Sequence, residues 1–250
     1  MGQGDVLMSM GEAKALHKKT GGPVMIIDRT GRPVKTDLID GVPYLTRSLS
    51  GHGGARVQRM LNCGGHRPYI ANKATDRWTW RPYQPKPADL VYTPQELAYA
   101  SLARGRVLIE PNVKALGHSN KAWFWDRWQK VVDAFPAGTF VQVGPLGTPR
   151  LDRAACQVTG TFRQALAVQS VCQAFVGTEG GLMHGAAANR TPAVILWSEF
   201  ISPSITGYPS MINLRHAGPA CGSRLDCPGC KKSMLAISVD EVVQALKGIL

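Results

Sequence analysis

The sequence predicts an α/β fold in which a parallel sheet carries helices on both faces, preceded by a shorter and less regular segment. Three observations lead there. Beyond residue 105, short apolar runs alternate with stretches of helical periodicity, the pattern of successive βαβ units. Residues 81–94, RPYQPKPADLVYTP, hold four prolines and read as a connector. Residues 174–197 read as strand, glycine turn, small-residue helix and strand. A boundary near 100–105 follows, with a first unit over 1–103 and a Rossmann-like unit over 104–250.

The elements follow in order. Residues 6–18 have the spacing of an amphipathic helix, ended by Gly21-Gly22-Pro23. VMIID (24–28) and RPYIA (67–71) are short strand candidates, and SGHGGARVQR (50–59) reads as a mobile loop. PQELAYASLA (94–103) places proline in a first helical turn. RVLIEP (106–111), TFVQVG (139–144), AFVG (174–177) and AVILW (193–197) read as strands. Residues 122–135, 162–173, 181–189 and 239–250 read as helices.

Composition is that of an ordinary globular chain: 250 residues, 44% hydrophobic and 18% charged. No apolar run reaches the roughly 18 residues of a membrane span. No basic-then-apolar leader opens the sequence, so a cytoplasmic protein is expected. The six cysteines are then expected to be free thiols. A net charge of +12 favours anionic partners. Residues 47–81 concentrate it, with seven basic residues against one acid.

The turn Gly177-Thr178-Glu179-Gly180-Gly181 lies at the carboxyl end of a strand, where doubly wound sheets bind ligands. Gly180 and Gly181 permit close backbone approach. The N–H groups from Gly180 to Leu182 open a helix and suit a phosphate. Glu179 could accept hydrogen bonds from sugar hydroxyls, or simply cap the helix. His184, one turn on, could face the ligand or pack inside.

The whole stretch VGTEGGLMHGAAANRTPAVILW (176–197) resembles the donor-site signature of glycosyltransferase family 9, the heptosyltransferase-like enzymes. Glu179, Gly181 and His184 stand at its acid, glycine and histidine positions, and Gly180 where Thr or Ser is usual. NKAWFWDRW (120–128) resembles the family's Lys-x-Trp motif, and VLIEPNV (107–113) the strand and loop before it. GQGDVLMSMGEAKALHKK (2–19) resembles its Gly-Asp loop and first helix. The apolar strand that usually precedes this loop is not part of the sequence.

The resemblance implies a GT-B fold: two Rossmann-like lobes, the N-terminal one reduced here, with the donor bound at 104–250 and the acceptor at 1–103. It implies transfer of a sugar, heptose among the candidates, from a nucleotide-diphosphate donor to an acceptor hydroxyl, with inversion and without a metal or other cofactor. Lipopolysaccharide biosynthesis is the implied setting. Asp5 would be the general base. Lys121 would face the donor diphosphate with Gly180, Gly181 and Leu182, while Glu179 and His184 orient the donor. The loop from Pro145 to Arg150 lacks the acid that many relatives place near the ribose.

Arg67, Arg77, Trp78 and Trp80 are candidate acceptor contacts: aromatic faces stack on sugars or bases, and arginine pairs with phosphate. A phosphorylated glycan and DNA both fit this mixture; so does a solvated basic face with two structural tryptophans. His216, Cys221, Cys227 and Cys230 could supply four metal ligands, or be loop residues without one. A non-catalytic protein binding nucleotides or nucleic acid on a degenerate glycosyltransferase lobe is the alternative reading.

Overall fold

The computed structural model describes residues 2–62, 64–113 and 119–250; Cys63 falls outside them. It opens with α1, Gln3–Thr20, whose N-terminus follows the extended Gly2 and whose C-terminus stops at Gly21. Gly21 takes φ 70° and returns its N–H to the His17 carbonyl at 2.8 Å, a left-handed cap that favours glycine. The helix begins three residues before the expected one, so Asp5 sits in its first turn rather than in a loop. Nor is it amphipathic in its first half: residues 5–11 are all buried. The reason is tertiary, since α1 is wedged between a strand and a helix of the C-terminal half.

The first strand, β1 (Val24–Ile27), pairs in parallel with β2 (Gln58–Leu61), which starts inside the expected mobile loop. Next comes an antiparallel hairpin of β3 (Ile70–Lys73) and β4 (Trp78–Trp80), with an irregular register between Ile70 and Asn72. The reduced N-terminal half thus has one parallel strand pair among its described residues. Helix α2 (Pro94–Ala100) follows the proline-rich connector; the Thr93 hydroxyl and Glu96 carboxylate close a reciprocal capping box at its start.

The C-terminal half is a six-stranded parallel sheet. Its strands are β5 (Val107–Glu110), β6 (Phe140–Gly144), β7 (Ala155–Val158), β8 (Ala174–Thr178), β9 (Ala193–Leu196) and β10 (Ile212–Leu214). They lie in the order β10-β9-β8-β5-β6-β7. The helices are α3 (Trp125–Asp133), α4 (Phe162–Val171), α5 (Gly181–Asn189), the short α6 (Pro203–Thr206), α7 (Pro228–Ala236) and α8 (Val239–Lys247).

Both faces of the sheet are covered, and alternate residues of each strand serve different cores. Leu108, Phe175 and Ile195 pack with Met183 and Ala186 of α5 on one face. Val107, Ile109, Val176 and Val194 pack with Trp128 of α3 and Val242 of α8 on the other. Burial of apolar surface at about 25 cal/mol per Å² makes these layers the main source of stability. Among the described residues, no helix is long and apolar enough to cross a membrane.

Side chains from the C-terminal half also anchor the N-terminal half. Arg163 on α4 is 6% exposed. It holds both Glu96 oxygens, at 2.6 and 3.0 Å, and donates to the carbonyls of Asp37 and Val91. This fork geometry, with further acceptors for the remaining N–H groups, is what lets a guanidinium be buried. The Tyr92 hydroxyl donates to Asn189 at 2.9 Å, and α1 lies along α5.

Candidate active site

The chain adds β6 and β7 on one side of β5, then returns to add β8, β9 and β10 on the other. The order therefore reverses between β5 and β8, and the crevice beyond their carboxyl ends is where such sheets take ligands. Glu110 ends β5 opposite Gly177 of β8. Glu179 follows β8, and α5 starts at Gly181. No side chain caps α5, so the amides at its start remain donors at the positive end of the helix.

Lys121 forms an ion pair with Glu179, and both side chains are largely buried. Its ammonium also lies 4.9 Å from the centre of the Phe200 ring. Lys121 belongs to a single 3-10 turn, Ser119–Lys121, rather than to the helix, which starts at Trp125. Asn120 fixes this turn. Its amide donates to the carbonyls of Ser223 at 3.0 Å and Leu225 at 2.7 Å, and its oxygen accepts the Cys227 N–H at 3.0 Å.

Asp5 reaches the same crevice from α1 and is 6% exposed. Its carboxylate accepts the Tyr69 hydroxyl at 2.9 Å and an Arg67 N–H at 2.7 Å. A carboxylate has about four acceptor positions, so two donors leave capacity for a substrate hydroxyl. Asp5 pushes the Tyr69 hydroxyl upward, after burial, which keeps Tyr69 protonated and donating. The first turn of α1 approaches α5 closely at Gly4, where a Cβ would lie 2.8 Å from the His184 ring; a Cβ on Gly181 would instead press on the Phe162 ring of α4 at 3.1 Å. His184 is buried, and its Nδ1 is 2.9 Å from the Tyr208 hydroxyl. Burial pushes its pKa down to about 4, against the pull of Glu179 and Asp5. At neutral pH the imidazole is therefore uncharged.

Of the expected acceptor contacts, the structure gathers Arg67, Trp78 and Trp80. The guanidinium of Arg67, the ammonium of Lys73 and the guanidinium of Arg224 lie 5.3, 5.6 and 4.5 Å from the Trp78 ring centre. Trp80 meets Phe200 edge-on at 5.3 Å. Burial, then the charges of Arg67 and Arg29, hold Lys73 below the usual lysine range. Buried Arg67 Nε and Trp80 Nε1 have no hydrogen-bond partner among the described residues. Arg77 stands apart: it is exposed, and its backbone bridges to Ser223.

Cys221, Cys227 and Cys230 come together, whereas His216 does not join them: its Nε2 lies 2.5 Å from Glu241, which it pairs with at the surface. A separate recess of about 610 Å³, lined by Lys14, Lys18, Lys86 and Arg190 among others, runs along later turns of α1 and the end of α5.

Reading the sequence did not single out Phe200, Tyr208 or Glu110, and it placed Tyr69 only among the aromatic residues of the basic 47–81 stretch, not beside Asp5. Tyr69 had a signal, standing two residues from the candidate Arg67; the others had none. The Glu110 carboxylate accepts the Asn112 N–H at 2.7 Å, but burial pushes its pKa up to about 7. Its folded pKa is raised, so the folded state holds the proton more tightly. Stability should therefore fall as pH climbs from about 4.5 to about 7. Glu110→Gln is expected to be more stable than the parent by about 1–2 kcal/mol at pH 8, with a smaller difference at pH 5. Urea unfolding at the two pH values measures this, and an equal difference at both would refute the assignment.

No protein-family model and no curated protein matches the sequence. Solved structures do. A glycosyltransferase family 9 protein from Veillonella parvula aligns over 100% of this chain and 94% of its own, at 14% identity and TM-score 0.66. The iron-containing dodecameric glycosyltransferase TibC of enterotoxigenic Escherichia coli aligns over 100% of this chain and 74% of its own, at 15% identity and TM-score 0.59. Its complex with ADP-D-beta-D-heptose gives 13% identity and TM-score 0.61, with the same coverage. Against the E. coli ADP-heptose lipopolysaccharide heptosyltransferase II, the match spans 64% of this chain and 53% of that one, at 18% identity and TM-score 0.49. The chain thus has the heptosyltransferase-like GT-B fold of glycosyltransferase family 9.

Proposed function

We propose that this protein is a cytoplasmic glycosyltransferase that moves a sugar, heptose in the first instance, from an ADP-linked donor to a hydroxyl of an anionic acceptor. The observation that carries the reading is the convergence on one crevice of Asp5, held by Arg67 and Tyr69, and the Lys121–Glu179 pair beside the uncapped start of α5. The structural neighbour described with ADP-D-beta-D-heptose supports the choice of donor.

In this reading Asp5 takes the acceptor proton as the hydroxyl oxygen attacks the anomeric carbon and the bond to the diphosphate breaks, with inversion. Lys121 and the amides of Gly180, Gly181 and Leu182 receive the charge that develops on the departing diphosphate. Glu179 accepts hydrogen bonds from the donor's sugar hydroxyls, and neutral His184 braces the start of α5. These groups carry the proposed transfer without a step assigned to a metal. On the other wall, Trp78 stacks on the acceptor while Arg67, Lys73 and Arg224 meet its phosphates. A phosphorylated lipopolysaccharide core has this chemistry. A non-catalytic nucleotide- or nucleic-acid-binding protein would give the doubly held Asp5 no task, which favours the enzyme.

Calorimetric titration with ADP, GDP, UDP, CDP and ADP-heptose tests the proposal. ADP is expected to bind in preference to the other nucleotides, and ADP-heptose more tightly still. Glu179→Ala should lose the increment that the sugar adds. Failure of every nucleotide to bind would overturn the reading and direct attention to nucleic acid on the 47–81 face, where affinity should fall steeply with salt.

A further inference from the structure

The loop between β10 and α7 brings three cysteines together. The Cys221 sulfur lies 3.9 Å from that of Cys227 and 3.5 Å from that of Cys230. All three sulfurs lie within 4.8 Å of one another. A disulfide needs about 2.05 Å, so none is formed here. A tetrahedral ion with metal–sulfur bonds of about 2.3 Å sets its thiolates about 3.8 Å apart. The observed spacing is close to that value, and neutral thiols alone gain little by meeting this way.

The local chain is built to hold this arrangement. Cys227 precedes the first turn of α7, with Pro228 as its first residue, so Cys230 returns to the same side within one turn. The Cys221 N–H donates to the Glu199 carbonyl at 2.7 Å, and the Ser233 hydroxyl donates to the Cys230 carbonyl at 2.8 Å. The Glu199 carboxylate lies over Gly229, where a Cβ would come within 2.2 Å of its Oε2. Any side chain at 229 would displace this acid from the cysteine loop.

We infer that Cys221, Cys227 and Cys230 form a structural site for one thiophilic divalent cation, zinc or ferrous iron. The fourth position falls to the Glu199 carboxylate or a water. The three thiols lose their protons to solvent as the ion binds, and no electron is transferred.

The site would stiffen the segment that joins the two walls of the crevice. On one side, Cys227 and its loop hold Asn120, the neighbour of Lys121. On the other, the Gly222 carbonyl accepts the Trp78 N–H at 2.9 Å. Gly222 has φ 65°, and a Cβ there would fall 1.8 Å from the Trp78 oxygen, so only glycine allows this approach. Arg224 follows, its guanidinium over the Trp78 ring. The ion would therefore anchor Lys121 and Trp78 to a common rigid loop without touching either substrate.

Metal content, independent of any transfer activity, decides the matter. Protein expressed with zinc and iron supplied is expected to carry about one thiophilic ion per chain. Elemental analysis distinguishes the two metals, and either supports the site. Cys227→Ser and Cys230→Ser should each lose at least tenfold of that content, while Cys156→Ser, on the edge strand β7, keeps it. Should the serine variants fail to fold, cobalt(II) added to the reduced, metal-stripped parent provides the second readout. It should give thiolate-to-cobalt absorption and intense tetrahedral bands. Less than about a tenth of an ion per chain together with no cobalt–thiolate band, or full metal content in both loop variants, would overturn the inference.

Discussion

Asp5→Asn is expected to slow sugar transfer by about 10²–10⁴-fold while leaving ADP affinity within about threefold of the parent. The asparagine oxygen can still accept from Tyr69 or Arg67, so the crevice keeps its shape. What is lost is the anionic acceptor for the substrate proton. Because the residue lies on α1 and the donor groups lie on the C-terminal half, the deficit should fall on kcat rather than on donor binding. A merely structural Asp5 would behave differently. Its replacement would lower thermal stability and weaken ADP indirectly, and the two losses would track each other. Steady-state rates, ADP titration and thermal unfolding on the same preparation separate the cases. An Asn variant that turns over within about fivefold of the parent would remove Asp5 as the base.

Much of the C-terminal half was legible because of burial. β8 and β9 are short apolar runs, β5 is apolar up to its terminal Glu110, and β6 is apolar apart from the buried Gln142, since both faces of the sheet are covered, and the sequence marks them as strands. The edge strands were not legible. β7 reads Ala-Cys-Gln-Val and β10 Ile-Asn-Leu, each short and interrupted by a polar residue that an edge position tolerates. β2 escaped for a related reason, being half exposed and opening with Gln58-Arg59.

Candidate site residues were legible where a local motif places them: Asp5 after glycine, Glu179 and His184 around a glycine turn, Lys121 ahead of a tryptophan. Their partners come from elsewhere in the chain. Tyr69 stands 64 residues from Asp5, and Tyr208 stands 24 from His184. No spacing rule links such pairs, because the sheet order and the packing of α1 on α5 create them. His216 shows the opposite error. It is close in sequence to the cysteine loop, yet the start of α8 supplies Glu241 as its partner and draws it away.

The Lys121–Glu179 pair makes the donor side sensitive to charge balance, and Lys121→Met should weaken ADP binding by about 10–100-fold. Charge-assisted hydrogen bonds contribute about 1.5–3 kcal/mol, which sets that range. The substitution has a second effect. It leaves Glu179 largely buried without its cation, at the place proposed for a diphosphate, so carboxylate and ligand repel. Removing the acid as well should relieve this. Lys121→Met/Glu179→Gln is therefore expected to bind ADP more tightly than Lys121→Met alone, although it has lost two charged groups rather than one. The coupling should also appear in stability, with the double variant more stable than the single lysine variant by about 1–2 kcal/mol. Full strength is not expected, because neither side chain is wholly out of water. Calorimetry and urea unfolding across the four proteins of the cycle measure both terms. If the two substitutions add within about 0.5 kcal/mol in ADP affinity, Lys121 and Glu179 do not share a ligand, and the diphosphate does not lie between them and the start of α5.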